Sequence, residues 1–408
     1  MKMKKPLINF ASKKLPEIKL VRDVSKHLKR GHRWIFADCF DKNDRFVSGL
    51  AILKLKQESI AIGIVQADTQ LRFRLLSLFE ESCIKPNNLE ASLNTWSEWQ
   101  WKKASQLRKH FVSDVTNSFR LINGEGDGMP GLIIDVYNDT AVIKHDHPAL
   151  EAFWNHEGLA ERIVEDFPQI ICVYWKRRND DELKGKDILG ELKEEVIFKE
   201  NGAHFASNIR DAAKTGFFLD QRDNRKLISI FSKDKSLLNL FSYTGGFSVF
   251  GAIGGASHVT SVDIAKAATA ASDRNFAVND LKTKHEAIAE DAFIYIDQQI
   301  KEKQKWDIVI TDPPSFAPNQ KSVESAKEAY IKVFSQSLKL VNNQGLFAAS
   351  SCSSHVTTEM FMEICKEVFS RNRKRGTLVY LGGQPFDHPY PMAMEELRYL
   401  KFALFRID

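Results

Sequence analysis

Two short polar turns carry the chemistry this chain can do. Asp312-Pro313-Pro314-Ser315 follows the apolar run Asp307-Ile308-Val309-Ile310-Thr311, and Ser351-Cys352-Ser353 follows Gly345-Leu346-Phe347-Ala348-Ala349. Each run reads as a buried parallel strand, and in open α/β sheets ligands collect at the carboxyl edge of the strands. A thiol and a carboxylate delivered to one edge suit addition chemistry on a flat heterocycle. Carbon 5 of a pyrimidine is not nucleophilic in the aromatic ring. A thiolate adding to carbon 6 turns the ring into an enamine whose carbon 5 can take a methyl group. In that scheme Cys352 is the nucleophile, and Asp312 hydrogen-bonds or protonates the ring nitrogen that gathers charge. Roughly a few per cent of an ordinary thiol is ionised near neutrality, so the surroundings must activate Cys352. Cys365 does not compete, because Phe361, Ile364, Val368 and Phe369 mark its helix face as core, and Cys39, Cys83 and Cys172 lie in earlier segments.

A second cluster precedes these turns. Phe241-Ser242-Tyr243-Thr244-Gly245-Gly246-Phe247 leaves a strand at 237–241 and enters a helix, and its glycines let the backbone approach a ligand closely. Asp263, eighteen residues after Gly245, ends the next strand, where a carboxylate can accept both hydroxyls of a ribose. The loop lacks G-x-G-x-x-G and has no basic residue for a pyrophosphate. That argues against NAD and for an adenosine cofactor without phosphates, S-adenosylmethionine. Asp291, after the third strand, is placed to accept from an adenine amine. The cofactor-side set is therefore Phe241, Tyr243, Thr244, Gly245, Gly246, Asp263, Asp291 and Asp312. The structural alternative for Asp263 and Asp291 is helix N-capping.

The elements that must hold these residues alternate from Gly216 onward. Strands at 237–241, 258–262, 286–289, 307–311 and 345–351 are separated by helices at 246–254, 265–279, 292–302 and 323–341. A helix at 358–371 and a strand at 397–405 follow. Such alternation predicts a doubly wound, mostly parallel sheet. Upstream, β-like runs at 18–21, 48–54, 60–65 and 72–78 predict a small barrel or sheet, with Lys85-Pro86-Asn87-Asn88 as its boundary. A helix from Leu89 to about Arg108 carries Trp96, Trp99, Trp101 and Lys103, the tryptophans read as packing residues rather than a base-stacking platform. Residues 119–205 form a second small α/β unit with strands at 119–122, 132–136, 141–144, 170–175 and 196–200 and a helix at 152–165. Gly124-Glu125-Gly126-Asp127-Gly128 resembles a phosphate loop but joins two strands, so it is read as a hairpin turn.

At about 100–200 residues per domain, 408 residues allow two or three domains. With 43% hydrophobic and 27% charged residues, the chain can bury full-sized cores. The formal charge of +5 is uneven. Residues 1–36 hold eleven Lys or Arg against two acids, +9, which leaves −4 for the remainder. A basic front interleaved with His27, His32, Trp34 and Phe36 points to nucleic acid rather than membrane, with Lys29, Arg30, His32, Arg33 and Trp34 as the contact set. For residues 1–14 a solvated lysine-rich arm explains the charge equally well. The five cysteines are scattered, without C-x-x-C or a histidine at ligand spacing, so neither a disulfide framework nor a metal site is expected. No run of eighteen apolar residues occurs, and the apolar stretch at 6–11 is too short for a signal peptide, so a reduced, cytoplasmic setting is expected.

Leu240-Phe241-Ser242-Tyr243-Thr244-Gly245-Gly246-Phe247, Asp312-Pro313-Pro314-Ser315-Phe316 and Ser351-Cys352-Ser353 resemble the motifs of the RlmI-type family of ribosomal RNA cytosine-5 methyltransferases. Lys214-Thr215-Gly216-Phe217-Phe218-Leu219-Asp220-Gln221-Arg222, Gly31-His32-Arg33-Trp34-Ile35-Phe36 and Asp127-Gly128-Met129-Pro130-Gly131-Leu132 extend the resemblance over about residues 18–408. The resemblance implies a PUA-type RNA-binding domain at 18–88, a central α/β domain at 89–205 and a Rossmann-like class I methyltransferase domain at 206–408. Its implied substrate is a cytosine of large-subunit (23S) ribosomal RNA, in immature or exposed RNA. Gln221 and Arg222 take a cofactor-side role by the same resemblance, with a structural ion pair as the alternative for Arg222. Residues 1–17 are an extension outside it, and Asp387-His388-Pro389-Tyr390-Pro391 shortens the loop before the last strand. His388 is read as a packed histidine, with a catalytic base as the alternative. The residues alone leave open a guanine or exocyclic-amine methyltransferase, a ribosome-assembly factor that binds RNA without catalysis, and a homodimer.

Overall fold

The computed structural model describes residues 4–10, 14–81, 83–177, 185–317 and 319–408. Packing divides the chain into two compact units. The first is Met1–Val196 with Asn208–Phe217 and Phe386–Glu395, and the second is Ile197–Ser207 with Phe218–Pro385 and Glu396–Asp408. The first unit thus takes in most of the residues that the sequence assigns to two separate small domains.

In the first unit, β1 (Glu17–Leu20), α1 (Ser25–Lys29), β2 (Trp34–Phe36), β3 (Gly49–Leu55), β4 (Glu58–Val65) and β5 (Leu71–Leu78) make one layer. Its sheet runs β1-β3-β4-β5-β2, parallel at the β1–β3 edge and antiparallel elsewhere. The helix α2 (Leu89–Lys109) buries Leu93, Trp96, Trp101, Ala104 and Arg108 at three- to five-residue spacing, one stripe of an amphipathic helix. Trp96 stacks on Trp154 with centroids 6.3 Å apart, whereas Trp99 is exposed beneath the Lys103 ammonium. Two of the three tryptophans are therefore core residues.

A second sheet, in the order β10-β9-β8-β7-β6, comprises β6 (Ser118–Asn123), β7 (Leu132–Tyr137), β8 (Thr140–His145), β9 (Cys172–Lys176) and β10 (Gly185–Leu189). The glycine-rich turn between β6 and β7 joins antiparallel strands, as its hairpin reading requires. The buried Arg108 guanidinium anchors it with paired bonds to Asp127 of 2.6 and 2.8 Å. One expectation fails here. The helix at 152–165 is two helices, α3 (Pro148–Phe153) and α4 (His156–Asp166), because Asn155 leaves the helical conformation and its side chain accepts from the N–H groups of Glu157 and Gly158.

The basic extension is not an arm over its described residues. Leu7 and Ile8 are buried, Lys4 pairs with Glu165 and Asn9 donates to the Ala152 carbonyl. Residues 1–3 and 11–13, with Lys2 and Lys13, lie outside the described residues.

The second unit begins with the paired strands β11 (Val196–Glu200) and β12 (Ala203–Ser207). Then come α5 (Arg222–Phe231), β13 (Ser236–Leu240), α6 (Gly246–Ile253), β14 (His258–Asp263), α7 (Lys266–Ala277), β15 (Lys284–Ala289) and α8 (Ala292–Lys301). β16 (Trp306–Thr311), α9 (Val323–Lys339), β17 (Val341–Ser351), α10 (Thr358–Arg371), β18 (Gly376–Gly382) and β19 (Lys401–Ile407) complete it. The seven-stranded order β15-β14-β13-β16-β17-β19-β18 is parallel through β17, with β19 inserted antiparallel beside it. This is the doubly wound, mostly parallel sheet the alternation predicts. The winding reverses at β13, whose neighbours are β14 on one side and β16 on the other. A crevice at that switch point is where such sheets bind ligands. β13 and β16 read as apolar runs because helices cover both faces of the sheet.

Candidate active site

The loop between β13 and α6 is strained in the manner of a ligand cradle. Phe241, Tyr243 and Gly245 all have positive φ, of 59°, 47° and 75°. For the two side-chain-bearing residues this costs on the order of 1 kcal/mol or more each, which the surrounding structure must offset. A Cβ on Gly245 would come within 2.0 Å of Ser272 Oγ, so only glycine fits there. Gly246 opens α6.

Asp263, the last residue of β14, accepts the Tyr243 N–H at 2.8 Å and the Ala265 N–H at 3.0 Å. It braces the cofactor loop and does not cap α7, whose N-cap is Ala265. Asp291 does cap a helix: its Oδ1 accepts from Phe293 and Ile294 at the start of α8. Among the described residues the side-chain oxygens of Ser242 and Thr244 are buried without a hydrogen-bond partner, and Ile264 beside Asp263 is 71% exposed. Orphaned hydroxyls, a close-approach backbone, an apolar surface and no cation in the loop fit an adenosine group lacking phosphates.

Asp312 and Cys352 leave neighbouring strands. β16 and β17 pair in parallel with Thr311 opposite Ala349, so both turns leave the same sheet edge. Ser353 ties them together, its hydroxyl 2.8 Å from Ser315 Oγ and 2.8 Å from the Tyr330 hydroxyl on α9. Cys352 is a half-buried cysteine at the end of β17. Gln221, at the head of α5, donates from Nε2 to Asp312 Oδ2 and to Ser350 Oγ, both at 2.9 Å, and accepts from Asn224 at 2.7 Å. Asp312 keeps some surface open but is densely surrounded. Burial pushes its carboxyl up to about 6 and the nearby Asp220 carboxylate adds to the rise, while hydrogen bonds from Ser350 and Gln221 oppose it. Such a carboxyl can donate a proton near neutrality.

Arg222 is fully buried with its Nε 3.5 Å from Asp223, in keeping with the structural alternative. Sequence reasoning missed Lys401, which is 1% exposed and donates to the carbonyls of Ser353 at 2.6 Å and Tyr399 at 2.7 Å. Its signal was a lone lysine inside the apolar run Leu400–Phe405 of a strand that must be covered on both faces.

The residues expected to meet RNA lie in the first unit. Lys29 and Arg30 are exposed, with Lys29 paired to Glu80 at 2.8 Å. His32 Nδ1 is 3.0 Å from the Trp34 carbonyl. Arg33 is half-buried, its guanidinium reaching the Leu76 carbonyl, and Trp34 donates its indole N–H to Glu125 at 2.7 Å beneath the Arg74 guanidinium. The five are brought together, but of their cations only Lys29 and Arg30 are exposed, and Lys29 is paired. His388 is buried against Asp387 in this same unit, which agrees with packing.

The sequence profile of a family described as S-adenosylmethionine-dependent methyltransferase matches residues 171–371. A ribosomal RNA large subunit methyltransferase of Deinococcus radiodurans is 30% identical over 96% of this chain and 97% of its own. Ribosomal RNA large subunit methyltransferase I of Tolumonas auensis is 30% identical over 95% and 98%. Among solved structures, SMU.776, assigned as a methyltransferase and crystallised with SAH, superposes with a TM-score of 0.83 at 27% identity, over 96% of this chain and all of that one. S-adenosylmethionine is accordingly the cofactor. Likeness at this identity over nearly the whole length of both chains shows that the protein belongs to the RlmI-type family of ribosomal RNA large-subunit methyltransferases.

Proposed function

We propose that the protein methylates carbon 5 of a cytosine in large-subunit (23S) ribosomal RNA through a transient bond to Cys352. The observation that supports this reading is the Ser315–Ser353 hydrogen bond between turns leaving paired strand ends, one turn carrying Cys352 and the other a carboxyl that burial pushes up. When bound, S-adenosylmethionine supplies an electrophilic methyl group. Phe241, Tyr243, Thr244, Gly245 and Gly246 would hold it, Asp263 facing the ribose and Asp291 the adenine.

The Cys352 thiolate adds to carbon 6 of the base while Asp312 gives its proton to the ring nitrogen, so negative charge does not build up on the ring. Carbon 5 thereby becomes electron-rich. After its methylation a base takes the carbon 5 proton, the carbon–sulfur bond breaks to release the Cys352 thiolate, and the ring nitrogen returns its proton to Asp312, which restores the aromatic ring. Gln221 keeps Asp312 oriented through this sequence. Residues 18–88 are assigned to PUA-type RNA binding, 89–205 to a central α/β domain and 206–408 to catalysis, with Lys29, Arg30, His32, Arg33 and Trp34 on the RNA side. Extracting a paired base costs a few kcal/mol, which favours exposed or immature RNA. Among the described residues no helix is long and apolar enough to cross a membrane, which is consistent with work on ribosomal RNA in the cytoplasm.

The test is nucleoside analysis by mass spectrometry after incubation with ribosomal RNA and S-adenosylmethionine. The expected product is 5-methylcytidine, reduced more than about a thousandfold in Cys352→Ala. Methylated guanosine, an N-methylated base or no product would contradict the reading.

A further inference from the structure

Addition to carbon 6 needs Cys352 as a thiolate. Lys401 opens β19, directly opposite Ser351 at the end of β17. The ammonium donates to the Ser353 carbonyl at 2.6 Å, the residue directly after Cys352. Its second bond goes to the Tyr399 carbonyl at 2.7 Å. An ammonium has three donors, and two are spent. Among the described residues no carboxylate lies within ion-pair distance of Lys401, although it is almost completely buried.

A buried charge without a counter-ion is costly, and such groups are found paired. Burial pushes Lys401 down to about 8, which still leaves it mostly cationic at neutral pH, and the one acidic group that favours its charged form is Cys352. Of the other groups that bear on the pair, Arg398 opposes the Lys401 charge, Tyr330 on α9 is a neutral phenol whose ionisation a Cys352 thiolate would hinder, and Asp312 titrates near 6.

We propose that the Lys401 ammonium is the counter-ion of a Cys352 thiolate, a positioning residue that keeps the nucleophile ionised and aimed without touching the base. The thiol proton goes to water, Lys401 keeps its own, and no redox change is involved. The inference rests on Cys352 as nucleophile, but its test does not need methyl transfer.

The test is the pH dependence of iodoacetamide alkylation, followed by peptide mass spectrometry on the full chain, with the exposed Cys83 as internal standard. An ordinary thiol inflects near about 8.5, and an opposite charge at close range lowers this by roughly one to three units. Cys352 is expected to inflect at least about one unit below Cys83, Lys401→Met to move it to or above Cys83, and Lys401→Arg to keep it low. A wild-type inflection at or above that of Cys83 overturns the proposal without any variant, and so does an inflection unmoved by a folded Lys401→Met. If the thiol behaves as expected while nucleoside analysis finds no 5-methylcytidine, the counter-ion stands and the cytosine reading fails. If 5-methylcytidine forms through Cys352 while the inflection ignores Lys401, the reading stands and the counter-ion fails.

Discussion

Asp312 binds its proton more tightly in the folded chain, at about 6 against an ordinary 3.8. Between those values the native state holds more protons than the unfolded one, so stability falls as pH rises through that window and the cost is fully present above it. Asp312→Asn is therefore expected to raise the melting temperature at pH 7.5, by about 2–5 °C, and to give no gain below about pH 4, while methyl transfer is lost. A gain that persists in acid would contradict the assignment of cause. Asp263 and Asp291 separate by the same style of measurement. Losing a charge-assisted hydrogen bond costs on the order of 1.5–3 kcal/mol, so Asp263→Ala should weaken S-adenosylmethionine binding about ten- to a hundredfold in calorimetric titration. Unchanged affinity would remove Asp263 from the cofactor site.

Element by element, legibility followed how apolar the buried face is. β13, β16, α10 and the cofactor loop could be placed from sequence because their core positions are apolar or glycine. The helix α5 escaped notice since polar Arg222, Asn224 and Arg225 take most of its buried positions, with Ile228 the apolar one. β18 is a largely exposed edge strand, and β2 is three residues long. The helix α5 matters because Gln221 stands at its head, and it is held by the buried Arg225–Glu200 pair at 2.6 and 2.7 Å. Removing one partner of a buried ion pair costs roughly 3–5 kcal/mol. Arg225→Met should therefore lower the melting temperature by about 5 °C or more, with methyl transfer falling as Gln221 loses its place. A melting curve identical to that of the natural chain would refute the bracing role.

At the scale of the whole molecule, composition and charge identified a multi-domain chain with a basic front, but not where its units divide. The division follows packing that composition does not report: Leu7 and Ile8 join a core with Trp96 and Trp154, so part of an apparently free basic arm is folded in. Within the expected contact set the exposed cations are Lys29 and Arg30, which should behave as phosphate contacts. Replacing both with alanine is expected to reduce the slope of log affinity against log salt by about 1.4 for single-stranded RNA, uniformly across sequences. An unchanged slope in filter binding would move the RNA surface elsewhere. The central claim is the bond between Cys352 and the base, and covalent trapping tests it most directly. Ribosomal RNA containing 5-azacytosine or 5-fluorocytosine cannot complete elimination. A denaturation-resistant adduct at Cys352 that disappears in Cys352→Ala is the predicted result, and full methylation of ordinary RNA by that variant would contradict it.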